Sequence, residues 1–219
     1  MKRLIVLDTE TTGLDVNDGH RIIEIGCVEI IDRNITSNKF HQYINPKRAI
    51  DEGAKKVHGI SNEMLEDKPE FSEIINDFLG FIQNSTLVIH NAPFDLGFLS
   101  SELSFCGKAK DYFTSYHEVL DTLTISRKQY PGKRNSLDAL CTRLEVDNTD
   151  RNFHGALLDA SLLANVYLKM TRGQTSLSMD DKVEHSNMID VEQEIIERDE
   201  IIVKADIDEI EAHKNYFKN

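Results

Sequence analysis

Two isolated carboxylates, each in an otherwise apolar segment, constrain the fold of this chain more than any other feature of its sequence. Asp95 is the only charged residue in 85–101, and Asp159 is the only formally charged residue in 155–168. Charged side chains are almost never fully buried without a partner. We therefore expect the fold to bring these two acids to a cationic side chain or to a bound cation.

A second pair of acids follows the first apolar run. The run 4–7 leads directly into Asp8-Thr9-Glu10. Alternate residues of an extended chain point the same way, which puts both carboxylates on one face. Like charges this close raise each other's pKa values or require a cation. If the four acids converge, their oxygen ligands favour a hard divalent ion, Mg²⁺ or Mn²⁺, over zinc.

Each acid also has a simpler explanation. An Asp-x-Glu pair is common at solvated strand ends, and Asp95 could simply favour the positive end of a helix. Asp159 could pair with an arginine such as Arg134 or Arg151. We interpret two further acids near apolar residues as structural, Asp121 in an Asp-Thr turn and Asp138 at a helix start. Convergence of the first four acids is what these explanations account for poorly.

His154 comes five residues before Asp159. Five steps along an α-helix rotate by about 140°, so the two side chains would face apart if both were helical. We therefore place His154 in the loop before the helix, where its imidazole could act as a general base. A lone histidine is more often structural, and we interpret His90, at a strand end, as a core histidine that forms hydrogen bonds.

The apolar pattern predicts an α/β domain. Apolar residues at helical spacing indicate helices, as in 70–82 after Pro69, and short apolar runs indicate strands. Strands first, followed by helices that alternate with short strands, are typical of a mixed sheet flanked by helices. The predicted strands are 4–8, 21–31, 39–44 and 86–90, and the predicted helices are 70–82, 92–103, 136–143 and 156–170.

The distribution of charge divides the chain near Arg172. Residues 173–219 contain 13 acidic and 5 basic residues, and such a self-repelling segment without sustained periodicity is typical of a linker. We expect a folded domain over 1–172 and a flexible acidic C-terminal tail over 173–219. The net charge of −13 is the opposite of the basic surface of a self-sufficient nucleic-acid-binding protein. If this chain acts on nucleic acid, something else must hold it there.

Cysteine spacing and the short apolar runs indicate the compartment. Cys27, Cys106 and Cys141 lack the spacing of disulfide pairs or zinc ligands, which favours a reducing environment. The apolar run that ends at Asp8 is too short for a signal peptide, and no run reaches membrane-spanning length. We expect a soluble cytoplasmic protein.

Four short motifs occur in order along the chain. They are Asp8-Thr-Glu10-Thr-Thr-Gly13, Val57-His-Gly-Ile60, His90-Asn-Ala-Pro-Phe-Asp95 and His154-Gly-Ala-Leu-Leu-Asp159. Together they resemble the motifs of the four-acid, histidine-type 3′–5′ exonucleases, over about residues 3–170. His154 stands at the place that distinguishes the histidine subtype from the tyrosine subtype. The resemblance implies a ribonuclease-H-like fold, with a mixed β-sheet flanked by α-helices.

The same resemblance implies roles for individual residues. Asp8, Glu10, Asp95 and Asp159 would hold two divalent ions, Mg²⁺ or Mn²⁺, and His154 would deprotonate the attacking water. The product would be a nucleoside 5′-monophosphate. Without the family, His58 would be interpreted as a turn histidine and Phe94 as a core residue. The residues implied to contact the substrate are Asp8, Thr9, Glu10, Thr12, Gly13, His58, Phe94 and Asp159.

Within this family, 132–141 and the acidic tail resemble the proofreading subunits of bacterial replicative DNA polymerases. This implies a single-stranded or frayed 3′ end of DNA as substrate and the polymerase alpha subunit as a partner, bound through 202–216. It also implies a weaker sliding-clamp contact through Gln174, Leu177 and Met179, with Met179 in the place of an aromatic residue. A disordered terminus without a binding role is the alternative for the tail. The sequence leaves open whether a small accessory subunit binds the domain.

Two other functions share much of this pattern. A free-standing RNase-T-like or oligoribonuclease-like 3′–5′ exoribonuclease would have the same core motifs and would differ in the tail. An interaction module that keeps the fold without catalysis would not need all four acids and His154, and all five are present. The sequence therefore favours a metal-dependent 3′–5′ exonuclease that removes mispaired 3′ ends of DNA.

Overall fold

A mixed five-stranded sheet forms the centre of the domain. The computed structural model describes residues 2–149, 151 and 153–172. The strands are β1 (Arg3–Thr11), β2 (Ile22–Ile31), β3 (Asn34–Tyr43), β4 (Thr86–Ile89) and β5 (Val119–Asp121). Their order in the sheet is β3-β2-β1-β4-β5. The first three strands pair antiparallel, and β4 and β5 run parallel to β1.

Helices cover both faces of this sheet. They are α1 (Glu52–His58), α2 (Phe71–Ile82), α3 (Ala92–Phe105), α4 (Tyr112–Tyr116), α5 (Thr122–Gln129), α6 (Leu137–Arg143) and α7 (Ala156–Met170). Ile5 and Leu7 of β1 pack with α2, α3 and α4 in one core. Leu4 and Val6, which alternate with them, pack with α6 and α7 in a second core. The predicted α/β fold with a mixed sheet is confirmed.

Most of the predicted elements are present, and their ends are set by identifiable contacts. Helix α2 begins one residue later than predicted, because Glu70 and Glu73 form a reciprocal capping box around its first turn. Helix α6 likewise begins after Ser136, whose hydroxyl accepts a hydrogen bond from Ala139 N. Helix α7 has the predicted bounds.

The differences lie where the sequence has little apolar periodicity. Strand β3 starts at Asn34, five residues before the predicted start, and most of its side chains are exposed or half-buried. Helix α5 is largely polar, and strand β5 is only three residues long. Four elements were not predicted, because each is too short or too polar to produce a recognisable pattern. They are α1, α4, β5 and α5.

The acidic tail lies outside the described residues, as do Gln174, Leu177 and Met179. The division into a domain and a tail therefore stays a prediction. Within 2–149 and 153–172, none of the helices combines the length and apolar character that crossing a membrane requires.

Candidate active site

The parallel strands bring chemically important residues to one edge of the sheet. Asp8 and Glu10 lie near the carboxyl end of β1. Strand β4 runs parallel to β1 and leads into α3, which carries Asp95 in its first turn. Asp159 lies in the first turn of α7, on the other face of the sheet. Two helices from opposite faces therefore each deliver one aspartate to the acids of β1.

A glycine on β2 allows α7 to approach the sheet closely. Gly26 is the register partner of Asp8, and a Cβ atom at this position would overlap the backbone of Ala156 and Leu157. The neighbouring Glu24 accepts a hydrogen bond from Ala156 N at 3.1 Å, which satisfies one of the free N–H groups at the start of the helix. These contacts position the first turn of α7, with Asp159, over β1.

Asp95 is held by a neutral partner on the opposite face. Thr9 Oγ1 donates a hydrogen bond to Asp95 Oδ1 at 2.7 Å, and Asp95 is 3% exposed. Since Thr9 lies between Asp8 and Glu10 on the strand, its side chain faces α3 while those two face α7. The turn before α3 is fixed by Asn91, whose backbone N–H donates to Asp121 Oδ1 at 3.0 Å.

The four acids share one electrostatic environment. Burial raises the pKa of Asp8 well above its usual value, and Asp95, Asp159 and Glu10 each raise it further. Burial, together with Asp159 and Glu24, raises the pKa of Glu10 to about 8. Burial raises the pKa of Asp95 to about 7, against the lowering effect of the Thr9 hydrogen bond. The structure thus brings the four acids together as the sequence analysis expected.

Arg151 is the cationic side chain that reaches these acids. Its Nε donates to Asp159 Oδ1 at 2.6 Å, and its Nη2 donates to Asp159 Oδ2. Nη1 pairs with Asp138, and Nη2 also lies 2.9 Å from His154 Nδ1. The simpler explanation for Asp159, a pairing with an arginine, is therefore realised through Arg151 rather than Arg134. Asp138 lies in the first turn of α6, as predicted, and extends the network.

His154 lies in the loop before α7, as expected from its spacing to Asp159. Its backbone N donates to Val57 O at 3.1 Å, so α1 anchors the loop. Its side chain is 44% exposed, and Nδ1 lies 3.4 Å from Asp159 Oδ2. Glu10, His154 and Asp159 each offer one potential ligand atom, and these atoms lie within 4.8 Å of one another.

Two cavities adjoin the acids. The larger, of about 940 Å³, contains all four acids and His154 and extends past His90. The smaller, of about 450 Å³, is lined by Thr9, Gly13, His58 and other residues. Phe94 lines both, with its ring 5.0 Å from that of Phe98. Glu10 and Phe94 line both cavities, so the two cavities adjoin each other at these residues.

Thr12 is the implied substrate contact that lines neither of these two cavities. Its hydroxyl is fully buried, 3.0 Å from His20 Nδ1, and accepts a hydrogen bond from Arg21 N. The same ring explains Gly13, because a Cβ atom there would overlap His20. No pattern in the sequence indicates this histidine contact, which joins the motif to a segment eight residues further on.

His58 combines a structural contact with a free polar atom. Its Nδ1 accepts a hydrogen bond from Ile60 N at 3.0 Å, which makes it the turn histidine of the simpler interpretation. Its Nε2 is buried without a hydrogen-bond partner among the described residues. Burial lowers the pKa of this imidazole. A buried nitrogen without a partner beside a cavity calls for an explanation, and a ligand bound there would supply one.

Three other polar residues lie near the site, and their contacts can be compared with the interpretation of the sequence. His90 forms a hydrogen bond to Thr122, at 2.9 Å between Nδ1 and Oγ1, but it also lines the larger cavity. Asp121 caps α5 by accepting from Leu123 N at 3.0 Å, which agrees with its structural interpretation. Glu24 was missed, although a lone acid in the apolar start of β2 is the same pattern that identified Asp95 and Asp159.

Comparisons with known proteins define the class of protein. A family model described as "Exonuclease" matches residues 5–167. The chain is also similar to exonuclease X bound to 5′ overhanging duplex DNA, with a TM-score of 0.59 and 28% identity over 77% of this chain and 90% of that one. A zinc-bound Escherichia coli exonuclease I complex with single-stranded DNA has the same fold, with a TM-score of 0.68 and 16% identity over 80% of this chain and 41% of that one. The fold is that of a ribonuclease-H-like exonuclease.

Relatives of known name narrow this class. DNA polymerase III subunit epsilon of Rickettsia typhi is 50% identical over 219 residues, 98% of this chain and 95% of the relative. The corresponding subunit of Escherichia coli is 52% identical over 180 residues, 80% of this chain and 74% of the relative. The chain belongs to the DNA polymerase III epsilon-subunit family within the exonucleases. Its activity is that of a 3′–5′ proofreading exonuclease acting on DNA.

Proposed function

We propose that Asp8, Glu10, Asp95 and Asp159 hold two divalent ions, Mg²⁺ or Mn²⁺, for hydrolysis of the 3′-terminal phosphodiester. The observation that carries this proposal is the convergence of four carboxylates on a site where Arg151 is the contacting cation among the described residues. The raised pKa values of Asp8, Glu10 and Asp95 indicate that their negative charges lack compensation. All four donors are oxygens, which suits a hard divalent ion.

The chain's own residues would divide the remaining work. When bound, the ions would lower the pKa of the attacking water and stabilise charge on the attacking and leaving oxygens. Asp8 lies close enough to the other three acids to interact with each of them, so it would contribute to holding both ions. His154 is half-exposed beside Asp159 and Glu10. It would take a proton from the attacking water and pass it to solvent.

The smaller cavity is suited to the terminal nucleoside. Thr9, Gly13, His58 and Phe94 line it, and Phe94 offers an aromatic ring to the base. The free Nε2 of His58 would donate a hydrogen bond to an oxygen of the nucleotide. Hydrolysis at the four acids would produce a nucleoside 5′-monophosphate, which would leave from the smaller cavity.

A frayed 3′ end and a tether would complete the proofreading role. A mismatched terminus reaches a recessed site at a lower unpairing cost than a paired one. Relatives named as DNA polymerase III subunits support association with that polymerase. We assign alpha-subunit docking to 202–216 and the weaker clamp contact to Gln174, Leu177 and Met179. Tethering would raise the local concentration of DNA and offset the net charge of −13.

The exonuclease chemistry is tested with a primer that carries a mismatched 3′ nucleotide. We expect release of the terminal nucleoside 5′-monophosphate in Mg²⁺, none in excess chelator, and none from Asp8→Ala. Asp77→Asn is the matched control, because Asp77 is exposed on α2, remote from the site. Full activity of Asp8→Ala, or full activity in chelator, would refute the proposal. Faster degradation of single-stranded RNA than of DNA would instead favour the exoribonuclease alternative.

The tail is tested separately. Deletion of 173–219 should leave hydrolysis of short oligonucleotides nearly intact and abolish co-purification with the polymerase alpha subunit. Co-purification that survives the deletion would reject the docking assignment. Gln174→Ala should weaken binding to the clamp while binding to the polymerase is retained, and unchanged clamp binding would count against the clamp peptide.

A further inference from the structure

The larger cavity continues beyond the acids to a basic wall. Arg127 lies in the last turn of α5, and Lys133 lies in the turn that follows, and both line this cavity. Both are exposed, and neither side chain forms an ion pair or hydrogen bond with any residue that the structure describes. In a chain with a net charge of −13, two uncompensated cations on the wall of the active-site cavity are available to an anionic ligand.

The turn that carries Lys133 is braced from behind. Arg143 donates from Nη2 to Arg134 O at 2.7 Å, and its guanidinium carbon lies 4.7 Å from the ring centre of Tyr130. Asn135 Nδ2 donates to Lys133 O at 3.0 Å, and Asn135 is itself buried. The buried Asn135 and the half-buried Arg143 thus fix the backbone on which Lys133 stands. A preorganised wall binds a ligand at a lower entropic cost than a mobile loop.

The smaller cavity is acidic, in contrast to the wall formed by Arg127 and Lys133. Asp15, Asp18 and Asp51 line it together with Glu10, and none of the described residues that line it is a lysine or an arginine. A phosphate would be repelled from this cavity and attracted to the wall formed by Arg127 and Lys133. The terminal nucleoside of a 3′-hydroxyl end carries no further phosphate on its 3′ side. Every nucleotide upstream of the scissile bond adds one phosphate on the other side.

We propose that Arg127 and Lys133 form a binding site for the backbone phosphates immediately upstream of the scissile bond. This inference rests on the proposed function, because it takes the scissile phosphate to lie at the four acids. The single strand enters along the basic wall, and its last nucleoside crosses the acids into the acidic cavity. This charge asymmetry fixes the direction of the strand, and it disfavours a 3′-phosphorylated end, whose extra phosphate would face Asp15 and Asp51.

The test compares a substrate with upstream phosphates to one without. The full chain and its Arg127→Ala/Lys133→Ala variant are assayed in Mg²⁺ on a single-stranded DNA octamer and on the nitrophenyl ester of thymidine 5′-monophosphate. Lys108→Ala/Lys110→Ala is the matched control. It removes the same charge from exposed positions that line neither cavity.

We expect the KM for the octamer to rise about tenfold at low salt in the variant, with little change in kcat. The slope of log KM against log salt should fall by about 1.4, since each phosphate contact on a single strand contributes about 0.7. The loss should be confined to the octamer.

Two results would overturn the proposal. One is an octamer KM and salt slope equal to those of the Lys108/Lys110 control. The other is an equal loss on octamer and ester, because the two residues would then act on the reaction centre rather than on upstream phosphates. Failure of the proposed function looks different: the unchanged protein would hydrolyse neither substrate in Mg²⁺.

Discussion

Asp95 and Asp159 produce the same pattern in the sequence, but in the structure their carboxylates have partners of different charge. Both are 3% exposed, and both lie in the first turn of a largely apolar helix. Asp95 is held by the neutral hydroxyl of Thr9. Asp159 is held by the guanidinium of Arg151, whose side chain is only 6% exposed. One acid is therefore left uncompensated on its own side of the sheet, whereas the other has a cation from the chain.

This difference assigns the two sides of the site different functions. On the α7 side, Arg151 holds Asp159, Asp138 and His154 in one network, so this side is organised by the protein itself. On the α3 side, hydrogen bonds alone compensate the burial of Asp95 within the part of the chain that the structure describes, and a bound cation would relieve it. We infer that metal binding changes the electrostatics of the α3 side more than those of the α7 side.

The largest expected effect is common to the two acids. Asp95→Asn and Asp159→Asn should each lower kcat for the single-stranded octamer by about 1000-fold or more, because each removes one charged ligand from the proposed metal site. Rates are measured in Mg²⁺, with Asp77→Asn as the control. Near-normal activity of either variant would exclude that acid from the metal site and show that the two acids are not equally required for catalysis.

The same two substitutions should have opposite effects on stability without metal. Asp159→Asn should cost about 3 kcal/mol, because Arg151 would remain buried with only Asp138 as its charged partner. Asp95→Asn should stabilise the protein by about 1 kcal/mol at pH 8, because it removes an uncompensated buried charge and leaves Thr9 an oxygen to donate to. Chemical denaturation in excess chelator measures both. Equal destabilisation by both variants would contradict the distinction between the two sides.

The dependence of stability on pH sharpens this distinction. The folded-state pKa of Asp95 is about 7, against about 4 in an unfolded chain. Between these pH values the folded state therefore binds more protons than the unfolded state. The stabilisation that protonation of Asp95 provides is complete below pH about 4 and is lost as pH rises through 7. Burial lowers the pKa values of His58 and His90, so their contribution to stability is instead lost as pH falls.

The difference between wild type and Asp95→Asn isolates the contribution of Asp95. In excess chelator, the melting temperature of wild type should fall relative to that of Asp95→Asn as pH rises from about 5 to about 8. Mg²⁺ should reduce this difference, because a cation takes the place of the proton. Parallel pH profiles for the two proteins in chelator would show that Asp95 does not carry an uncompensated charge.

The last expected effect concerns the α7 side alone. Gly26→Ala should destabilise the protein by about 1–3 kcal/mol, because the added Cβ atom forces the start of α7 away from β2. Activity should fall with it, since Asp159 moves with the helix. Gly80→Ala on α2 is the control, because a Cβ atom there meets no neighbouring atom within 4 Å and Gly80 lines neither cavity. Unchanged stability and activity of Gly26→Ala would show that the close approach is not required.

The sequence predicts the components of the site better than their partners. Lone charges in apolar segments identified Asp95 and Asp159, and strand alternation placed Asp8 and Glu10 on one face. Each of these inferences needs only local geometry. The choice of Arg151 over Arg134 depends on how a loop folds back over α7, and the burial of Thr12 depends on His20. Contacts between distant segments leave no periodic trace in one sequence.

The same limit explains what was missed elsewhere. Helix α1 supplies the carbonyl of Val57 that anchors the loop of His154, but its mostly exposed residues produce no apolar stripe. Glu24 could have been predicted from the sequence, because it is an acid among isoleucines on β2. It lies outside the four motifs, so the resemblance to the exonucleases does not point to it.

Titration of the protein with Mn²⁺ by isothermal calorimetry tests the central claim most directly, because it measures the cation rather than the reaction. Wild type at pH about 7.5 should bind two Mn²⁺ ions per chain, and Asp8→Asn should lose the calorimetric signal of both. Asp77→Asn should bind as wild type does. Undiminished binding by Asp8→Asn, or no binding by wild type at Mn²⁺ concentrations that support hydrolysis, would contradict a metal site built by these four carboxylates.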